Sequence, residues 1–165
     1  MSINKICIFF LFAILISCKN SKTNQIARKR NDTTLVIELA IRTAFYHQDL
    51  PDMDRLFKRY HSGDSVLFTS GTLPLSLLPR TIDTIRFKVL TKKEISFLIR
   101  TENDLNKLPN YLNIGAFEKS DSGYYVRVEN LSCMPVFGGG GTIGMDIAKK
   151  RDSFMVKRKM STSIN

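Results

Sequence analysis

The chain has 165 residues, 43% of them hydrophobic, with a formal net charge of +10 and an isoelectric point near 9.7. That length suits one domain with a buried core and argues against two.

Lys5 gives the chain a positive start, and residues 6–16 form an uninterrupted apolar run of eleven. At about 1.5 Å per residue such a helix is too short for a hydrocarbon layer roughly 30 Å thick. The polar stretch 17–30 follows at once, so the run reads as the core of a signal peptide and not as a permanent span. It ends Leu15, Ile16, Ser17, Cys18: aliphatic at minus three, small at minus one, then cysteine. These residues resemble the lipobox of bacterial lipoproteins. The resemblance implies a diacylglycerol on the Cys18 sulfur, cleavage before Cys18, and a further acyl chain such as palmitate on the new amino group. Two or more chains give stable anchoring, each buried methylene contributing about 0.8 kcal/mol. Lys19 stands where an aspartate would resemble an inner-membrane retention signal, which leans toward the cell envelope at the outer membrane, facing the periplasm.

With 1–17 as signal peptide, 18–32 become a flexible tether and 33–165 a single domain, and the side-chain charge falls to +9 as Lys5 leaves. Cys7 goes with the signal and Cys18 carries lipid, so Cys133 has no thiol partner within the mature chain and reads as a buried small hydrophobe. In the cytosol this basic balance would point to nucleic acid. Export disfavours that partner and substitutes anionic lipid, lipopolysaccharide phosphates or an acidic protein.

The tether is polar and cannot support a core. From 35 to 46, Ile37, Ile41, Ala44 and Phe45 fall at helical spacing, with Asp32, Thr33 or Thr34 available as N-cap. After Pro51, the spacing of Met53, Leu56, Phe57 and Tyr60 predicts a second helix, closed by Gly63. The period then changes: Ile85, Phe87 and Val89 alternate with Arg86 and Lys88 as in a strand with one wet face. Thr91 and Glu94 have capping-box spacing and open a short helix carrying Ile95, Leu98 and Ile99. Leu112, Ile114 and Ala116 alternate again. Asp121, Ser122 and Gly123 make a turn into Tyr124, Val126 and Val128, a hairpin pattern. Beyond the glycine run, Ile143, Met145 and Ile147 alternate, and Lys150, Arg151 and Asp152 turn the chain into Phe154 and Val156. The expected class is α+β, with N-terminal helices packed on an antiparallel meander of four to five strands. This order resembles cystatin-like or NTF2-like cone folds, and the glycine loop before the penultimate strand resembles small bacterial envelope lipoproteins, a likeness that brings no activity with it.

His47, Asp49, Asp52, Asp54, His61 and Asp64 are metal-ligand types, but their spacing fits neither the two-histidine zinc helix nor an EF-hand. Asp49 is placed to cap a helix opened by Pro51, and Asp52 and Asp54 fall in its first turn, where carboxylates favour the dipole. Gly138 to Gly141 lack the lysine and the following helix of a phosphate loop and read as a bend entering a strand. Ser62, His61 and Asp64 are too close in sequence for a triad and lack a nucleophile elbow.

The expectation is therefore a non-enzymatic, lipid-tethered binding domain of the envelope, with no cofactor and no metal. Cys18 carries the lipid. Lys149, Lys150, Arg151, Lys157 and Lys159 form a basic edge for an anionic partner, with Lys157 and Lys159 on one strand face. The alternatives are an inhibitor or immunity lipoprotein that fills an acidic cleft on a toxin or wall-degrading enzyme, and a small hydrolase using the cone of the sheet as its pocket.

Overall fold

The computed structural model describes residues 31–46, 63, 65–102, 110–133 and 140–164. All lie in one compact unit, Asn31–Asn165. Among the described residues, the core is built mainly from the first helix and the strands of this unit.

The chain runs α1 (Asp32–Tyr46), β1 (Ser65–Ser70), a 3-10 turn (Leu75–Leu77), β2 (Thr81–Ile82), β3 (Ile85–Val89), α2 (Lys92–Thr101), β4 (Tyr111–Ser120), β5 (Gly123–Leu131), β6 (Gly140–Lys150) and β7 (Ser153–Ile164). The class is α+β, as expected, but the described strands form one seven-stranded mixed sheet in the order β2-β3-β1-β4-β5-β6-β7. Strands β4 to β7 are the expected antiparallel meander, whereas β1 pairs in parallel with both β3 and β4. The antiparallel sheet of four to five strands is thus corrected to a larger, mixed one. The physical reason is β1: its sequence SVLFTS is buried at four successive positions, on both faces, so it shows no alternation. Such continuous burial is what a parallel, doubly covered strand requires.

Helix α1 starts one residue before the expected caps. The Thr33 amide donates to Asn31 Oδ1 at 3.1 Å, making Asn31 the cap and placing Asp32 in the first turn. Val36, Ile37, Ala40, Ile41 and Ala44 are buried on the helix stripe that meets the sheet. They pack in one cluster with Phe68, Leu112, Ile114, Val126, Val128, Ile143, Met145 and Ile147. Phe45 stacks on Phe87 at 6.4 Å, closing the β3 end. The proposed helix around Met53 to Tyr60 lies outside the described residues.

Strand β3 alternates buried and exposed as read from sequence. In β4 the alternation breaks: Ile114 pairs with Val128 but Ala116 with Arg127, leaving Gly115 as a bulge. Ala116 therefore turns to the face of Arg127, and Phe117 takes the core position beside Tyr124. Glycine at the bulge leaves room for the Glu129 carboxylate, which a Cβ there would have to displace.

Candidate functional site

The β6–β7 hairpin carries the basic residues singled out from sequence. It turns at Arg151 and Asp152, with Lys150 opposite Ser153 and Lys149 opposite Phe154. Arg151 takes a left-handed conformation, φ 54°. The five cations do not act as one edge. Lys149 Nζ donates to Asp32 Oδ2 at 2.7 Å and lies 5.7 Å from the centroid of the Phe154 ring. The hydrogen bond to Asp32, reinforced by its charge, holds the Lys149 ammonium above the ordinary lysine range. Lys150 and Arg151 are exposed at the tip, and among the described residues neither takes part in an ion pair that could hold it to the fold.

A second bulge decides the other two. Ile147 pairs with Val156 and Asp146 with Arg158, so Lys157 is the extra residue. Lys157 and Arg158 consequently share the face of Asp146, while Lys159, opposite Met145, is on the core side. The expected common face of Lys157 and Lys159 is thereby undone, since one inserted residue inverts the alternation beyond it. Lys157 borders a cleft of 220 Å³ together with Glu118, Ser120, Tyr125 and Asp146. Both charge signs line this cleft.

A basic surface the sequence reading did not mark lies on α2. The helix begins with a complete capping box: the Glu94 amide donates to Thr91 Oγ1 at 3.1 Å, and the Thr91 amide to Glu94 Oε2 at 2.7 Å. The bond from the Thr91 amide, first, keeps the Glu94 carboxyl below its usual range. Ile95 and Ile99 pack with Cys133, Leu90 and Tyr111. At 3.6 residues per turn, Lys93, Phe97 and Arg100 then occupy the opposite side. Phe97 is 65% exposed and Leu98 37%. An open hollow of 420 Å³ separates Phe97 from Lys92, Ser96 and Arg100, and another of 570 Å³ runs from Phe97 and Leu98 to Lys88 and Leu90. The signal that could have found this face is the Phe97 between Lys93 and Arg100 in a helix whose buried stripe is only Ile95 and Ile99.

The sheet face opposite the main core carries a polar row set by register: Thr69, Asn113, Glu129, Thr142 and Thr162 on five neighbouring strands. Asn113 Nδ2 donates to Glu129 Oε2 at 2.6 Å, and Arg127 Nε to Glu129 Oε1 at 2.9 Å. Thr69 Oγ1 and Asn113 Oδ1 are buried without a hydrogen-bond partner among the described residues. Cys133 is buried, and desolvation pushes its thiol up to about 11, so it holds almost no thiolate near neutrality.

Cys18, the cluster His47, Asp49, Asp52, Asp54, His61 and Asp64, Ser62, and Gly138 and Gly139 lie outside the described residues. Gly140 and Gly141 open β6, where a Cβ on Gly140 would meet the Asn130 carbonyl. Among the described residues no three of His, Cys, Asp and Glu come together as a metal set, and no helix is long and apolar enough to cross a membrane. No family model, curated protein or solved structure matches the chain.

Proposed function

We propose that this protein is a bacterial lipoprotein of the cell envelope, cut before Cys18 and anchored by acyl chains on that residue, with a domain that binds an anionic partner and performs no catalysis. The lipobox Leu15, Ile16, Ser17, Cys18, at the end of an eleven-residue apolar run, supports the anchor. The observation that carries the binding reading is the position of Lys150 and Arg151. They stand exposed beyond the last core residues of the hairpin, so an anionic lipid, lipopolysaccharide or acidic protein can meet them without any core contact being lost. The finer fold likeness, a cone of cystatin or NTF2 type, belongs to the same proposal and is supported by α1 lying against β5, β6 and β7 of the meander.

Metabolic labelling with a fatty-acid probe tests the anchor. The wild type should be labelled and sediment with the envelope, and Cys18→Ala should be unlabelled. Equal labelling of both proteins would end the lipoprotein reading.

A further inference from the structure

We propose that the outward face of α2 is a docking surface for an anionic lipid bilayer, with Phe97 seated between head groups and Lys88, Lys93 and Arg100 on their phosphates.

The first support is the pairing of aromatic and charge. An aromatic ring 65% exposed, with Leu98 beside it, leaves apolar area in water on a helix whose other side is already satisfied by Ile95 and Ile99. A bilayer interface removes that area from water, and it rewards an amphipathic helix that sets cations around an aromatic residue. Lysine and arginine stems can lie along the apolar boundary while their charged ends reach the phosphates.

Charge balance is the second support, and it separates this face from Lys149 and Arg158 of the hairpin. At the hairpin, Asp32 holds Lys149, Asp146 stands opposite Arg158, and Asp121 and Asp152 flank the two turns. Around Phe97 the cations are Lys88, Lys92, Lys93 and Arg100. The acid beside them, Glu94, is turned back onto Thr91 in the capping box, and Glu102 sits at the far end of the helix. The hollows on either side of Phe97 are open and shallow, a shape suited to a yielding lipid surface. An anionic membrane thus matches both the charge and the relief.

This docking does not depend on the lipid anchor. Thirteen residue steps separate Cys18 from Asn31, and fully extended they reach about 45 Å. A ten-residue strand is about 33 Å long. A chain held at Cys18 can therefore still lay α2 on the same membrane.

The chain contains no tryptophan, so Phe97→Trp installs a single indole at the contact. Residues 19–165, without lipid, would be mixed with vesicles of equal parts phosphatidylglycerol and phosphatidylcholine, or of phosphatidylcholine alone, at low salt. The indole emission should move to shorter wavelength only on the anionic vesicles, and rising salt should reverse it. In co-sedimentation, Phe97→Ser should weaken binding about tenfold through lost apolar burial. Lys93→Gln and Arg100→Gln should each weaken it about fivefold. Lys119→Gln, an exposed lysine at the end of β4 away from Tyr111 and α2, serves as the control and should change little. Absence of vesicle binding, binding with unshifted emission, or binding that Phe97→Ser, Lys93→Gln and Arg100→Gln leave as strong as Lys119→Gln does would each overturn the proposal. Because the protein tested has no acyl chain, any of these results leaves the labelling of Cys18 to stand or fall by itself.

Discussion

Asp32, in the first turn of α1, accepts a 2.7 Å hydrogen bond from Lys149 at the end of β6, joining residues 117 positions apart. This ion pair fixes the start of the helix to the base of the hairpin. The lysine's charged form is favoured in the folded state, so the pair's contribution to stability is complete below the ordinary lysine range and disappears as pH rises through the elevated folded value. Asp32→Asn should lower the thermal midpoint slightly at neutral pH, less so in high salt, because both side chains are about half exposed. Above the lysine range the variant and the wild type should converge. A midpoint difference that persists there would mean that Asp32 acts through its charge at the helix N-terminus and not through Lys149.

Arg151 occupies left-handed backbone, which costs an L-residue roughly 1–2 kcal/mol and costs glycine little. Arg151→Gly should therefore raise stability by about 0.5–1 kcal/mol after the extra chain entropy of glycine is deducted. Chemical denaturation measures this directly. The same substitution removes a tip cation, so stabilisation would also demonstrate that the charge is not needed for folding.

Gly115 is predicted to resist replacement. A methyl group there would displace the Glu129 carboxylate, which is tied to Asn113 and Arg127 and only 13% exposed. We expect Gly115→Ala to cost about 1–3 kcal/mol. The double variant Gly115→Ala, Glu129→Ala should lose less than the two single changes together, since the clash and the carboxylate vanish at once. Additive losses would place the cost in the bulge geometry instead.

Cys133 should be almost inert in the native protein. Its thiol is buried and shifted up to about 11. In residues 19–165, where it is the only cysteine, a thiol reagent at mildly alkaline pH should react slowly, and at full rate once denaturant opens the fold. Rapid native modification would show that Ile95, Tyr111 and their neighbours open readily around it.

Alternation and turn chemistry made the C-terminal half legible: the hairpins at Asp121 and at Arg151, and the buried residues Tyr124, Val126, Val128, Ile143, Met145 and Ile147, follow directly from the residue pattern. The capping box at Thr91 and Glu94 was equally readable because it is a local, two-residue device. Strand β1 was hidden because a strand covered on both faces has no period to detect. The two bulges were hidden for another reason, since Gly115 and Lys157 are displaced by pairing with partners elsewhere in the chain. That is why the basic edge imagined along β7 divides between two faces. The α2 surface was hidden because helical spacing groups Leu98 with Ile95 and Ile99 as one buried stripe, whereas Leu98 is exposed beside Phe97 and only Ile95 and Ile99 pack inward.

Strand β7 closes the order of described strands, and its twelve residues would present a long row of unpaired amides and carbonyls to any passing strand. The bulge changes what that row can do. It places Lys157 and Arg158 side by side in the middle of the edge and breaks the regular spacing of its backbone groups. A second copy adding in register would have to bring two adjacent cations against their own kind and match an irregular ladder. At the other margin β2 is only two residues long, too short to template anything. The displaced lysine thus makes this edge of the described sheet a poor template for another strand.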